Sequence, residues 1–298
     1  MLFRHQILNG YWAIDYGFSL NYLPLVTPWM KGDRPSPAYH SLSPQERAVS
    51  LNHEAIRIAS VDSKASNYVV SEYGRVGRPE DAPEDSIAII SINGAITKQD
   101  QECGPAGMVT KSNMLQRCYA NPNINGILLD IESGGGSSYG MFLMNETLQS
   151  RNKPVIGFVN DLAASAACGI LTGCDLAIAN SNMAQIGCIG TISTIIDYTK
   201  QLEAAGINLI EVYASQSTDK NSEFREALKG NLKPLQEKVD IVNAHFLDMI
   251  ANNRKGKFTC EDKVWNTGKT FFAPDALKIG LIDAIDSFEN ALTYFSNF

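Results

Sequence analysis

Histidine is scarce in this chain of 298 residues: there are four. His5, His40 and His53 stand near the N-terminus, away from the regular apolar and glycine-rich stretches that follow. His245 flanks the apolar stripe of a long helical pattern and reads as a surface or boundary residue. A nucleophile activated by histidine therefore has little to draw on. The six cysteines, Cys103, Cys118, Cys168, Cys174, Cys188 and Cys260, form no CxxC pair. No Cys/His cluster has the spacing of metal ligands, so the cysteines read as structural thiols. Positive charge is also in deficit. Lys and Arg number 25 against 32 Asp and Glu, a net charge of −7, which argues against a nucleic-acid-binding surface. No window approaches eighteen uninterrupted apolar residues, so no transmembrane helix is expected. The opening "MLFRHQILNGYWAIDYG" lacks the apolar core and small-residue cleavage site of a secretory signal. A cytoplasmic location follows as the expectation. There is no internal repeat and no low-complexity tract.

What is present is the length and composition of one large α/β domain or two modest ones. Residues 1–85 read as an N-terminal arm and linker. They contain the proline-rich "PLVTPWMKGDRPSPAYHSLSP" and "SPQERAVSLNHEAIRIASV", which reads as a helix capped by Ser43 with Pro44 in its first turn. The polar "EYGRVGRPEDAPEDS" closes this part as a linker. From residue 86 the pattern is regular. Strands are expected at 87–97, 126–133, 154–160, 175–180 and 207–214, and helices lie between them. Alternation of this kind implies parallel βαβ units with right-handed crossovers. "KPLQEKVDIVNAHFLDMIANNR" is the clearest helix, with Leu235, Val239, Val242, Phe246 and Met249 on one stripe. The stripe faces either the core or a partner, and the pattern does not choose.

Two stretches carry candidate chemistry. "ESGGGSS" (132–138) follows a strand buried on both faces and precedes a helix, so its glycines can turn backbone N–H groups toward a bound group. No Lys-Ser/Thr follows to make a Walker A loop, and Tyr139 stands where GxGxxG needs its third glycine. The alternative reading is a tight strand–helix turn. "DLAASAACGI" (161–170) sets Ser165 among small residues at a strand's C-terminal end, where ligands bind in α/β sheets. Ser165 is either an ordinary residue of a packed helix start or a nucleophile. In the second reading its neighbours are small because a substrate backbone approaches closely, and the Ala166 N–H joins the glycine loop in an oxyanion hole. With histidine scarce, the base falls to a lysine, which serves once burial lowers its pKa toward neutral. Lys220 lies in "ASQSTDKNSEF" after a strand pattern, and a solvated surface charge is its alternative.

"ILLDIESGGGSS", "GFVNDLAASAACGILTGCDLAIAN" and "GCIGTIST", in that order, resemble the signal peptide peptidase A family of serine–lysine peptidases. The likeness extends over roughly residues 86–285 and is greatest to the short peptidases of phage and prophage head-gene clusters, which process scaffold or capsid proteins. "GYWAI" resembles a tryptophan-containing segment near the N-termini of those peptidases, and "DALKIGLIDAI" (275–285) resembles the segment that closes their domain. The resemblance implies a Clp-protease/crotonase-like α/β fold, a spiral of ββα units with a mostly parallel sheet, over residues 86–298. It implies Ser165 as nucleophile, Lys220 as base, and Gly135, Gly136 and Ala166 as oxyanion donors, with no metal or organic cofactor. It also implies a peptide or protein substrate, procapsid association and a homo-oligomer. The arm 1–85 would serve oligomerisation, targeting or as a propeptide.

The chain departs from the family's pattern in four places. The usual Asn-Ser-Pro-Gly-Gly reads Glu132-Ser133-Gly134-Gly135-Gly136, and the Gly-Gly that commonly follows the serine is Ala166-Ala167. The usual Gly-Ser-Ile-Gly reads Gly190-Thr191-Ile192-Ser193. Counting from Tyr213-Ala214-Ser215 to the usual base position lands on Thr218, and a two-residue insertion restores Lys220, with Lys200 and Lys229 as the other candidates. Two further readings stand beside the peptidase: a catalytically inactive capsid-associated or scaffold homologue, and a crotonase-like acyl-CoA enzyme.

Overall fold

A computed structural model describes residues 12–14, 56–61, 68–76, 78–101, 105–195, 197, 199–208 and 210–298. In chain order the elements are β1 (Trp12–Ile14), β2 (Ile56–Val61), β3 (Tyr68–Val76), β4 (Ser86–Asn93), α1 (Met108–Ala120), β5 (Ile124–Ser133), β6 (Gly135–Ser137), α2 (Ser138–Gln149), β7 (Val155–Ala164) and α3 (Ala166–Thr172). There follow β8 (Leu176–Ala179), β9 (Gln185–Gly187), α4 (Thr199–Ala204), α5 (Ser222–Leu228), α6 (Lys233–Asn253), α7 (Asp262–Trp265), β10 (Thr270–Phe272), α8 (Ala273–Lys278), β11 (Ala284–Ile285) and α9 (Phe288–Thr293).

Among the described residues nine strands form one sheet in the order β10-β9-β7-β5-β4-β2-β3, with β8 joined to β7 and β11 beside that path. Its centre is parallel: β4 with β5, β5 with β7, and β7 with both β8 and β9. This is the mostly parallel α/β architecture that the sequence implies. The apolar runs of β5 and β7 fit it because both of their faces are covered. Ile90, Ile92, Leu129 and Ile131 pack toward Met114, Leu115, Met141, Ile170 and Phe246 of the helices on one side. Ile87, Ile89, Leu128, Ile156 and Phe158 pack toward Ala291, Leu292 and Phe295 on the other, where Phe288 meets Phe158 edge-on with ring centroids 5.3 Å apart. Each such buried side chain contributes roughly 1.5–3 kcal/mol relative to exposure.

Three sequence readings are corrected. The helix expected from residue 43 lies outside the described residues over 43–55, and its last part, Ile56–Val61, is a strand. Ile56, Ile58 and Ala59 fill the two cores from its two faces, and pairing with β4 overrides the local helical pattern. β2 and β3 thus belong to the same sheet as β4, and the stretch expected as a linker begins in β3. The strand expected at 207–214 does not form among the described residues. Its β-branched residues find no sheet edge, and Ile210 and Val212 stand 83% and 91% exposed.

The stripe of α6 divides: Phe246, Met249 and Ile250 are buried in the core, whereas Val239 and Val242 are half-buried. At the end of α6 the fully buried Arg254 donates to Asp283 at 2.8 Å and to the Gly280 carbonyl at 2.6 Å. Asp283 in turn accepts from the Ala177 N–H of β8 at 2.8 Å. This clamp fastens the closing segment 280–285 to the sheet.

Candidate active site

The site is built where two parallel neighbours end. β5 and β7 pair from Ile127 with Val155 to Ile131 with Val159, and then the register jumps so that Ser133 faces Ala163. The extra residues in β7 make a bulge, which bends the strand away from β8 and onto β9. The glycine loop after β5 is therefore set beside the serine after β7, as the strand-end rule predicts.

Ser165 is the junction of β7 and α3. Its backbone has φ 57° and ψ −118°, a left-handed conformation that a residue with a Cβ adopts only under constraint. The constraint is visible on both sides. Its N–H donates to the Gly187 carbonyl at 2.6 Å, and its carbonyl accepts the first helical bond from Gly169 at 3.0 Å. The residue is 1% exposed, and its hydroxyl donates to the Gly190 carbonyl at a long 3.4 Å. Ala166, next in line, supplies the first N–H of α3, a position with no acceptor inside the helix. Gly169 is required by packing: a Cβ there would lie 2.5 Å from the Met141 sulfur and 2.9 Å from the Phe246 ring.

The glycine loop is held by a residue that the sequence reading did not single out. Ser133 Oγ donates to the Gly94 carbonyl at 2.6 Å and accepts from the Gly135 N–H at 3.1 Å. The Gly135 amide is thereby occupied, which leaves the Gly136 amide as the glycine donor that Ser133 does not hold. Gly136 passes so close to the Ile96 carbonyl that a Cβ would overlap it. A buried hydroxyl two residues before the second glycine was the available signal for Ser133. Its partner on a separate loop is not readable from the chain.

Among the described residues no hydrogen bond or ion pair joins a lysine side chain to this centre. Lys220 is exposed in a turn, with its N–H donating to the Ser217 carbonyl at 3.3 Å, and among the described residues nothing joins its side chain to Ser165. Arg225 of α5 ties that turn down, donating to the Thr218 carbonyl at 2.6 Å and stacking 4.6 Å above the Tyr213 ring. α5 is anchored to the first half of α6 by the Glu223–Lys238 ion pair. Lys238 is eight residues, about 12 Å of helix rise, from the Phe246 that packs on Gly169. Lys229 is exposed and paired with Glu226 at 2.9 Å, and Lys200 is exposed on α4. Burial lowers Lys111 to about 8, but Lys111 belongs to α1, which packs on α2, β4 and β5. Burial also pushes the Cys168 thiol beside Ser165 up to about 12, so it is an inert neighbour.

An open groove of about 890 Å³ runs between α2 and α6, lined by Tyr139, Phe142, His245 and Met249 among others, and neither Ser165 nor Gly136 lines it. Among the described residues no His/Cys/Asp/Glu group could hold a metal ion, and no helix is long and apolar enough to cross a membrane.

Comparison with known proteins decides the family. The model of "Peptidase family S49" matches residues 147–297. The chain belongs to peptidase family S49. Its curated relatives include Protease 4 of Haemophilus influenzae, 26% identical over 211 residues, which cover 70% of this chain and 34% of that protein. The head-tail preconnector protein GP5 of Enterobacteria phage P21 is 26% identical over 174 residues, 56% of this chain and 34% of that protein. Capsid assembly protease C of Escherichia phage lambda is 22% identical over 173 residues, 56% of this chain and 39% of that protein. The S49 chain thus spans between a third and two fifths of the length of these relatives. A solved structure similar to it is that of a point mutant of ClpP1 from Listeria monocytogenes, with a TM-score of 0.44 and 13% identity, covering 68% of this chain and 94% of that one.

Proposed function

We propose that this S49 chain is a serine endopeptidase whose nucleophile is Ser165. The observation that carries the reading is the strained, buried serine at the β7–α3 junction, set beside the glycine amide that Ser133 does not hold. Ser165 Oγ attacks the carbonyl carbon of the scissile peptide bond. Lys220, in its uncharged form, takes the hydroxyl proton. The Gly136 and Ala166 amides hold the resulting oxyanion. Collapse of the tetrahedral intermediate breaks the C–N bond, and Lys220 returns the proton to the leaving amine. Water then attacks the acyl-serine ester with Lys220 again accepting a proton, and breakage of the C–Oγ bond passes that proton back to Ser165 and releases the carboxylic acid product.

Because Lys220 is exposed and no hydrogen bond or ion pair joins it to Ser165 within one chain, the dyad closes between copies of the chain. The unpaired apolar residues Ile207, Ile210 and Val212, just before Lys220, are the surface on which a second copy would seat. Likeness to proteins named for capsid assembly and head–tail connection supports a capsid or scaffold protein as substrate, processed in the procapsid.

Labelling with a serine-reactive fluorophosphonate tests the reading. Wild type should label at one residue, Ser165. A folded Ser165→Ala chain should label by less than about a thousandth as much, since removing a nucleophile costs at least about 10³-fold. A wild-type protein that labels nowhere in any oligomeric state would replace this reading with that of an inactive capsid-associated homologue.

A further inference from the structure

The Gly135–Ser137 strand has two edges, and both are occupied. On one, the Ile96 N–H donates to the Gly135 carbonyl at 2.9 Å and the Ser137 N–H donates to the Ile96 carbonyl at 2.8 Å. Successive peptide groups of an extended strand point to opposite edges. The N–H and carbonyl of Gly136 itself therefore face the other edge. That edge is taken by β1, antiparallel, with Trp12 opposite Ser137, Ala13 opposite Gly136 and Ile14 opposite Gly135. β1 also lies against α3, the helix that Ser165 opens. Ser165, Ala166 and Gly136 are all buried in this arrangement, so a nucleophile and its oxyanion donors are withheld from solvent.

We infer that residues 12–14 are this chain's own occupant of the peptide-binding edge. Ala13 takes the place of the residue whose carbonyl would be attacked, and an incoming extended peptide must displace the segment strand for strand. The identity of Gly136 as oxyanion donor rests on the peptidase reading above; the occupied edge does not. Three residues make few ladder bonds, so the segment is suited to exchange with a longer peptide rather than to permanent closure. A substrate offered this edge is recognised first by its main chain, and any segment able to extend over three residues qualifies.

The test uses the full-length chain carrying Ser165→Ala, so that catalysis plays no part. Ala13→Pro is added because proline has no N–H and breaks pairing opposite Gly136. The probe is a fluorescein-labelled peptide copying residues 8–18, LNGYWAIDYGF, followed by anisotropy. The double variant should bind it at least tenfold more tightly than Ser165→Ala alone. Amide exchange at Gly136 should be slow in Ser165→Ala, fast in the double variant, and slow again when peptide is added. Equal affinities, absence of peptide binding to both proteins, or fast exchange at Gly136 in Ser165→Ala would each overturn the inference. Peptide binding in this pattern without fluorophosphonate labelling of the Ser165 chain would sink the peptidase reading and leave the self-occupied edge standing.

Discussion

The two halves of the proposed catalytic apparatus are built in opposite ways. The nucleophile half, Ser133 to Gly136 and Ala163 to Ala166, sits at the ends of paired central strands, and most of its backbone groups have named partners. The base half, residues 207–221, has no strand pairing among its described residues, exposes Ile210 and Val212, and carries Lys220 on a turn held chiefly by Arg225. A preorganised half can hold a strained Ser165, because strain persists only where the surroundings over-determine it. An exposed half can meet a second chain. On the proposed reading, the contrast separates what one chain would complete alone from what it would complete by assembly.

The sharpest way to break this comparison is to remove the base and leave the rest. Lys220→Ala should lower peptidase and labelling rates by about 10²–10⁴-fold, the usual worth of a general base, with circular dichroism unchanged because the exposed side chain is no part of the core. Full activity in Lys220→Ala would move the base to another residue and end the two-half description.

A smaller effect is expected at the clamp that serves the buried half. Arg254→Ala removes a fully buried guanidinium and leaves the half-buried Asp283 with Lys257, 3.0 Å away, as its remaining charged partner, and should cost about 3 kcal/mol in denaturant unfolding, the low end for breaking a buried pair. Burial alone would raise the Asp283 pKa, but the hydrogen bonds and charge of Arg254, together with hydrogen bonds from the Ala177 N–H and Lys257, outweigh it and hold the carboxyl below its usual range. A depressed carboxylate stabilises the fold above its unfolded pKa of about 3.9 and loses that contribution as pH falls through the folded value. Wild type should therefore lose stability on acidification below about pH 4. Arg254→Ala should lose less over the same range. Identical acid-limb slopes would remove Asp283 from the account.

The smallest effect on stability is expected at the exposed half. Ile210→Ser with Val212→Ser should change unfolding free energy by no more than about 0.5 kcal/mol, as surface substitutions do. The same pair should shift light-scattering mass toward the monomer. A large stability loss with unchanged mass would mean that these residues pack within one chain.

This difference between the halves also governs what was legible in the sequence. The runs at 126–133 and 154–160 read correctly as buried strands because their apolar character is continuous. The Ser165 and glycine-loop placements followed from strand–loop–helix order. Ile56–Val61 was misread as a helix end because a Ser-Pro start signal lies upstream, whereas its strand state depends on pairing with β4. Residues 207–214 carry a genuine strand pattern with no edge to join in one chain, so pattern alone overstated it. The pairing of Trp12–Ile14 with β6 and the Ser133–Gly94 bond are contacts between distant segments, and local periodicity has no access to them.

The central claim, that Ser165 of one copy works with Lys220 of another, is tested most directly by mixing two inactive proteins. Purified Ser165→Ala and Lys220→Ala chains are dissociated, combined in equal amounts and reassembled, and hydrolysis of a peptide substrate is followed. The account predicts that the mixture recovers activity, about a quarter of the wild-type rate if neighbours pair at random and each site takes one residue from each of two chains. A mixture as inactive as its parents, with reassembly confirmed by mass, would place serine and base in the same copy and contradict the account.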